Sequence, residues 1–175
     1  MDPFLTILQR LSEHAVEYVL IGSLAAVAHG SSIVTQDVDV CAPLARPNLD
    51  RILEALKDLK PFFRRPGLKL PLFEDPARLA HIKNLYLNTT AGSVDILGEL
   101  PGVGPYEQIR QTAVTANFGA FTCLMLDLDT LIAAKRAAGR PKDAIHLRQL
   151  LGLKKLKDAG GSTSLFDPPP GPQKT

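Results

Sequence analysis

The amino-acid sequence predicts a single α+β domain in which helices pack against a mixed β-sheet. Helix and strand patterns alternate as far as residue 59, and the later strand patterns follow one another as hairpins. A doubly wound dinucleotide-binding sheet would instead alternate strands with helices throughout the chain. The length of 175 residues suits one domain, and a content of 45% hydrophobic and 22% charged residues excludes disordered and collagen-like chains.

The first third of the chain predicts three helices and two strands. Asp2-Pro3 is typical of a helix start, and apolar residues recur at helical spacing after it. A β-branched and aromatic run that ends at Gly22 predicts the first strand, and alternation predicts the second. The helices are expected from Asp2, over 23–29 and over 47–59, and the strands over 17–21 and 36–41.

The rest of the chain predicts two hairpins, three helices and a tail. Residues 60–76 are irregular, rich in proline and basic residues, and support no assignment. From residue 158 a run of Gly, Ser and Pro predicts a flexible tail, so the domain covers residues 1–157. The hairpins pair 82–88 with 93–97 and 112–118 with 121–124, and the helices cover 105–111, 129–138 with Asp129 as its cap, and 141–151.

Charge is distributed unevenly along the chain. The formal net charge is +2, yet residues 128–157 contain eight basic and two acidic residues. Such asymmetry indicates either a polyanionic ligand or an ordinary solvated helix face. Cys41 and Cys123 cannot form a disulfide scaffold, and no run reaches the ~20 apolar residues that cross a bilayer. Because residues 1–10 carry no export signal either, we expect a cytoplasmic location without membrane association.

A Gly22-Ser23 dipeptide lies at the junction of a predicted strand and a predicted helix. A glycine lets the backbone approach a ligand closely, and the free N–H groups at a helix start attract anions. The dipeptide could therefore cradle a phosphate. A tight turn with Ser23 as an ordinary N-cap explains the same two residues more simply.

Asp37 and Asp39 lie two residues apart on a predicted strand, so both side chains point to the same face. Val38 and Val40 would then face the core. Adjacent carboxylates repel each other, and hard oxygen ligands of this kind suit Mg²⁺. An exposed strand edge or a salt-bridged pair accounts for the same residues without a metal.

Asp95 is a third acidic residue, which interrupts an apolar strand pattern over 93–97. A buried carboxylate is costly unless it is paired or bound to metal, and Lys83 is a candidate partner. If Asp95 meets Asp37 and Asp39, the three carboxylates form a two-metal site of the kind that serves phosphoryl transfer.

A second Asp-X-Asp with the same spacing provides a control within the chain. Asp127 and Asp129 precede an Ala-rich helix pattern, where Asp129 is the expected cap. The spacing alone is therefore weak evidence, and the strand context of Asp37 and Asp39 decides its interpretation.

The order of these motifs resembles the polymerase-β-type nucleotidyltransferase superfamily, and in particular its small toxin–antitoxin and abortive-infection branch. The resemblance covers most of residues 17–151. It is carried by VLIGSLAAVAHG at 19–30, TQDVDV at 35–40, SVDI at 93–96 and LIAAKRAAGRPKDAIHL at 131–147.

This resemblance implies a minimal nucleotidyltransferase fold and a Mg²⁺-dependent reaction. A nucleoside monophosphate would pass from a nucleoside triphosphate, such as ATP, to an acceptor hydroxyl with release of pyrophosphate. Two Mg²⁺ ions are implied, and Asp95 would also help to deprotonate the acceptor. The implied catalytic and metal-binding residues are Asp37, Asp39 and Asp95, and the implied nucleotide-binding residues are Gly22, Ser23 and Lys135.

The acceptor and the choice of nucleotide stay open at this point. RNA such as tRNA, a protein side chain or an aminoglycoside-like molecule could receive the nucleotide, and a toxin role would add an antitoxin partner. Two other functions fit parts of the sequence: an aspartate-nucleophile phosphatase that uses Asp37, and a non-catalytic RNA- or partner-binding module that uses the basic segment after residue 128. The weakly apolar strand before Asp37 disfavours the first, and the complete set of three acids disfavours the second.

Overall fold

The computed structural model describes residues 3–65, 67–72, 79 and 81–161, and the following elements lie within them. The helices are α1 (Pro3–Glu13), α2 (Gly22–Ala28), α3 (Asn48–Leu56), α4 (Tyr106–Thr112), α5 (Leu128–Ala138) and α6 (Pro141–Asp158). The strands are β1 (Val19–Ile21), β2 (Asp37–Cys41), β3 (Phe62–Arg65), β4 (Leu68–Pro71), β5 (Asn84–Thr89), β6 (Gly92–Leu97), β7 (Glu99–Leu100), β8 (Gly104–Pro105), β9 (Val114–Asn117) and β10 (Thr122–Met125). A 3₁₀ turn over Lys57–Leu59 extends α3, and the predicted cap Asp2 lies outside the described residues.

Eight of these strands form one mixed sheet in the order β4-β3-β5-β6-β2-β1-β10-β9. β1 pairs with β10 and β2 pairs with β6 in parallel, and the other neighbouring strands are antiparallel. β7 and β8 form a small separate ribbon. The predicted α+β class with a mixed sheet is confirmed.

Both predicted hairpins are present, as β5–β6 and β9–β10. A third hairpin, β3–β4, lies in the segment over 60–76 that supported no assignment from the sequence. Its first strand reads Phe-Phe-Arg-Arg, a run without the period of two that identifies a half-buried strand. Pairing with β5, a contact distant in sequence, makes this segment a strand and widens the sheet.

Asp127, and not Asp129, is the cap of α5. Its carboxylate accepts hydrogen bonds from the backbone N–H groups of Asp129 at 2.9 Å and Thr130 at 3.0 Å, which have no partner inside the helix. The prediction of Asp129 as the cap is therefore wrong by two residues. α6 runs beyond its predicted end at residue 151, as far as Asp158. Most of the predicted tail, residues 162–175, lies outside the described residues.

The alternation of β2 places its valines and aspartates on opposite faces of the sheet. Val38 and Val40 are fully buried, whereas Asp37 and Asp39 are half-buried on the other face. Burial of one valine stabilises the fold by about 1.5–3 kcal/mol, so a slip of one residue in register is strongly disfavoured. The hydrophobic pattern of β2 therefore presents both carboxylates on the face opposite the buried valines, which we call the open face of the sheet. No helix among the described residues is both long and apolar enough to cross a membrane.

Candidate active site

Three aspartates meet on the open face near the centre of the sheet. The parallel register of β2 and β6 places Asp39 opposite Asp95, and Asp37 opposite Ser93. One carboxylate oxygen from each of Asp37, Asp39 and Asp95 lies within 4.8 Å of the other two. The structure thus brings together the three acids that the sequence predicted as metal ligands.

The surroundings of Asp39 oppose its ionisation. Burial, followed by the charges of Asp37 and Asp95, raises the pKa of Asp39 to about 6, although Lys135 and Arg140 act in the opposite direction. A divalent cation among the three carboxylates would relieve this repulsion, and carboxylate oxygens are ligands that Mg²⁺ prefers. The donor set therefore fits a divalent metal ion.

Gly22, the first residue of α2, lies directly against Asp39. Its φ angle is +70°, in the left-handed region that favours glycine. A Cβ atom on this residue would lie only 2.0 Å from Oδ2 of Asp39 and 2.7 Å from its Cβ. The glycine predicted from the sequence is thus required on both counts, because a side chain here would displace a member of the acid cluster.

Lys135 lies on α5, across from the acid cluster, and its side chain is only 7% exposed. Its Nζ donates a hydrogen bond at 3.2 Å to Oδ1 of the buried Asp143 on α6. The Nε of Arg140 donates to Oδ2 of the same carboxylate at 2.6 Å. One aspartate therefore holds two cations near Asp39. The sequence singled out Lys135, but it gave no reason to choose Arg140.

A cleft of about 430 Å³ joins these groups. Gly22, Asp39 and Asp95 form one side of it, and Lys135 and Arg140 are among the groups that line the rest. Tyr86 and nine apolar residues complete the lining, the latter being Ile21, Leu97, Leu100, Pro101, Leu126, Leu131, Ala134, Ala137 and Ala138. The cleft thus combines acids, cations and apolar surface, the composition expected of a ligand site.

Arg64 and Tyr86 extend the site beyond Asp95. The guanidinium of Arg64 on β3 forms an ion pair with Asp95 and lies over the ring of Tyr86, with 6.0 Å between its central carbon and the ring centroid. The sequence suggested Lys83 as a partner of Asp95. It indicated Arg64 only as one of several basic residues over 60–78 that could form a loop facing the acceptor, and it did not pair Arg64 with Asp95. Tyr86 was detectable in principle, because the predicted hairpin register sets it opposite Asp95, as observed.

Comparison with known proteins identifies the fold. No protein-family model and no curated protein sequence matches the chain. The lincosamide antibiotic adenylyltransferase LnuA, with bound lincomycin, has a TM-score of 0.59 at 13% identity over 86% of this chain and 96% of LnuA. The antibiotic-resistance factor ANT(2'')-Ia has a TM-score of 0.57 in its solution structure, at 12% identity over 91% of this chain and 92% of that protein. Its complex with adenylyl-2''-tobramycin has a TM-score of 0.53 at 12% identity, over 88% of this chain and 92% of the other.

The chain has a nucleotidyltransferase fold. Within this fold Ser23 is the second residue of α2, and Ile21 occupies the cap position without a side-chain hydrogen bond. The alternative interpretation of Ser23 as an N-cap is therefore wrong. His29, at the other end of α2, is buried, and its Nε2 forms a 2.7 Å hydrogen bond with the carbonyl oxygen of Leu126. This contact joins α2 to the chain just before α5, which gives His29 a structural role.

Proposed function

We propose that this protein is a Mg²⁺-dependent nucleotidyltransferase, which moves a nucleoside monophosphate from a nucleoside triphosphate to an acceptor hydroxyl and releases pyrophosphate. The meeting of Asp37, Asp39 and Asp95 within 4.8 Å carries the proposal. Carboxylates gathered beside a cleft are costly without a cation, and Lys135 and Arg140 offer positive charge to a polyphosphate in the same cleft. The nucleotidyltransferase fold of the chain supports the same reaction.

Each aspartate has its own part in this proposal. Asp37 and Asp39 would hold two Mg²⁺ ions together, and Asp95 would complete the shell of one of them. The bound ions supply charge stabilisation to the phosphoryl oxygens and to the attacking and leaving oxygens of an in-line displacement. Asp95 would help to deprotonate the acceptor hydroxyl, as the sequence resemblance implies, and its strand β6 is the one of the two acid-bearing strands that lies farther from β1.

The triphosphate would bind on the opposite side of Asp39. Gly22 and Ser23 at the start of α2 would hold its phosphates through backbone N–H groups, because Gly22 presents no side chain there. Lys135 and Arg140 would offset the charge of the departing pyrophosphate. Asp143 contacts both cations and so acts as a positioning residue for them.

The acceptor and the biological setting are finer parts of the proposal. LnuA is a lincosamide antibiotic adenylyltransferase, which makes a small molecule one class of acceptor to consider. An RNA, such as a tRNA, and a protein side chain are the other two classes. A role as the toxin of a toxin–antitoxin system rests on the sequence resemblance. The proposal includes a cytoplasmic location, where triphosphates are abundant and where the free thiols of Cys41 and Cys123 would stay reduced.

The test is a labelling experiment with the purified protein, Mg²⁺, a cell extract and each nucleoside triphosphate labelled at the α-phosphate. We expect a labelled product whose sensitivity to nuclease or protease identifies the acceptor class, and no product with Asp39→Asn or with a chelator present. Asp129→Asn is the matched control, because it removes the same charge from an exposed Asp-X-Asp and should label like the wild type.

Three outcomes would contradict the proposal. Equal labelling by wild type and Asp39→Asn would show that the acid cluster takes no part in the reaction. Salt-sensitive RNA binding without any turnover of triphosphate would favour the non-catalytic module. A covalent phosphate trapped on Asp37 would favour the phosphatase.

A further inference from the structure

We infer that Arg64 and Tyr86 form the platform that binds the acceptor, and that the acceptor is a nucleic-acid end, whose terminal base stacks on Tyr86 while its phosphate pairs with Arg64. This inference rests on the proposed function and names the substrate class of the same site. It concerns two residues outside the predicted set of Gly22, Ser23, Lys135 and the three aspartates.

The platform is part of one row of side chains across the open face of the sheet. Asp39 lies opposite Asp95, and Asp95 lies opposite Tyr86. The β3–β5 register, in which Phe63 lies opposite Leu87, brings the next residue, Arg64, against Tyr86. Directly opposed residues of neighbouring strands share a face. Tyr86 and Arg64 therefore continue the acid cluster toward the β4 edge of the sheet.

The order of this row determines which substrate meets the platform. Gly22 follows β1, so the phosphates of the nucleotide bind at the β1 side of Asp39. In an in-line displacement the attacking oxygen approaches from the side opposite the leaving pyrophosphate. The acceptor must then lie at the side of Asp95 that faces β5 and β3, where Tyr86 and Arg64 are found.

The chemistry of the platform suits a base and a phosphate. Tyr86 is 44% exposed although its neighbours Leu85 and Leu87 are fully buried on the other face, so an aromatic ring is presented to solvent beside the cleft. Stacking on an exposed ring accepts any nucleobase, and an arginine beside it pairs with phosphate. A divalent cation on Asp95 would offset the charge that the guanidinium now meets, which leaves Arg64 available to an anion.

The charges of the cleft disfavour a polycationic acceptor. Among the described residues that line the cleft, the carboxylates are Asp39 and Asp95, and both are metal ligands in the proposed function. An aminoglycoside-like molecule would need further carboxylates to pair with its amines. It would also meet Arg64 at the acceptor side. A hydroxyl on a protein side chain brings no phosphate for Arg64, so the nucleic-acid end is the acceptor that uses both residues.

The first experiment measures binding, because binding does not depend on turnover. A fluorescently labelled, short single-stranded RNA with a 3′-hydroxyl is titrated in Mg²⁺-containing buffer with wild type, Arg64→Ala, Tyr86→Leu and Tyr86→Phe, and its anisotropy is measured. We expect Arg64→Ala and Tyr86→Leu each to weaken binding about tenfold, and Tyr86→Phe to bind like wild type, because stacking needs only the ring. Arg64→Ala should also reduce the slope of log affinity against log salt concentration by about one, because one phosphate contact is lost.

Arg51→Ala is the matched control, since Arg51 is an arginine of similar exposure that faces Glu17 at 4.0 Å, away from the acid cluster. It should bind the RNA like wild type. Circular dichroism and thermal melting of each variant show whether it folds. The second experiment offers the same RNA, its 3′-deoxy form and an aminoglycoside as acceptors of the labelled nucleotide, with the expectation that only the 3′-hydroxyl RNA is labelled.

The outcomes separate the platform from the catalytic proposal. Unchanged RNA affinity in folded Arg64→Ala and Tyr86→Leu would overturn the platform. Labelling of the aminoglycoside, or of protein in place of RNA, would overturn the acceptor class while the nucleotidyltransferase stands. RNA affinity that depends on both residues without any turnover would support the platform and refute the proposed catalysis.

Discussion

The two Asp-X-Asp sequences of this chain have the same spacing and opposite roles. Asp37 and Asp39 lie on a strand, point to one face and meet Asp95. Asp127 and Asp129 lie at a helix start, where Asp127 accepts hydrogen bonds from backbone N–H groups and the exposed Asp129 forms an ion pair with Lys154. The comparison teaches that the secondary structure around a pair of aspartates decides whether their carboxylates cluster with other carboxylates or accept hydrogen bonds from the backbone.

One member of each pair, Asp39 in the first and Asp127 in the second, has a shifted pKa, and the two shifts have opposite directions. The pKa of Asp39 is raised to about 6 by burial and by the charges of Asp37 and Asp95. Burial acts in the same direction on Asp127, but hydrogen bonds, chiefly from Thr130, outweigh it and leave the pKa of Asp127 below its ordinary value. The repulsion of Asp39 by Asp37 and Asp95 is thus not relieved by the nearby Lys135 and Arg140, and a divalent cation would relieve it, whereas hydrogen bonds already stabilise the carboxylate of Asp127.

The largest expected effect is on transfer. Asp37→Asn should lower the rate of nucleotide transfer about 10³-fold, because a bound metal contributes several kcal/mol of transition-state stabilisation. Asp127→Asn should leave the rate unchanged, since asparagine caps a helix as well as aspartate does. Single-turnover kinetics with labelled triphosphate measure both variants. Equal loss in the two would remove the distinction between the pairs.

The next effect concerns the glycine that lies against Asp39. Gly22→Ala should lower transfer about 100-fold, because displacement of a catalytic group by about 1 Å costs that much. The variant should also lose about 2–3 kcal/mol of unfolding free energy from overpacking and the left-handed backbone.

Gly119→Ala is the control for this substitution. Its φ angle is +82° and no atom lies within 4 Å of the added Cβ, so only backbone strain of about 1–2 kcal/mol is expected, with transfer unchanged. Urea unfolding and transfer assays on both variants test the prediction. If both alanines affect transfer alike, contact with Asp39 is not the cause.

A third effect is a pH-dependent gain of stability in Asp39→Asn. A carboxyl with a raised pKa keeps its proton to a higher pH in the folded state than in the unfolded state. The unfolding free energy of the wild type therefore falls as pH rises from about 4 to about 6. The asparagine variant lacks this loss, and above pH 6 it should be more stable by about 2–3 kcal/mol. Urea unfolding in a chelator at several pH values measures the difference. A constant difference across this range would contradict the raised pKa.

The smallest effect distinguishes the two members of the second pair. Asp127→Ala should destabilise the protein by about 1 kcal/mol, because two N–H groups of α5 lose their acceptor. Asp129→Ala should change stability much less, since it removes one exposed ion pair. Thermal unfolding at neutral pH compares them. A larger loss of stability in Asp129→Ala than in Asp127→Ala would indicate that Asp129 is the cap after all.

Local patterns predicted most of the fold and the same-face pair Asp37 and Asp39. The alternation of β2 and the turn between β5 and β6 are visible within a few residues, so the same-face carboxylates could be predicted. That Asp95 lies beside them depends on β2–β6 pairing, which the sequence suggested only through the order of its motifs. The position of Arg64 beside Asp95 could not be predicted, although the sequence indicated its basic segment as a possible acceptor-facing loop. That position depends on β3 pairing with β5, and the periodicity of β3 does not indicate a strand.

Topology separates the strands of the three aspartates from Arg64, one of the two residues of the proposed platform. The strands β2 and β6, which carry the three aspartates, pair directly with each other. The β3–β4 hairpin is contained in the long connection between them, on the outer side of β5. Exchange of this hairpin for a loop of another length or composition would leave the three carboxylates in register. Arg64 belongs to that exchangeable part. A lineage of such proteins could therefore change what it modifies by replacing one peripheral hairpin while it inherits the reaction unaltered.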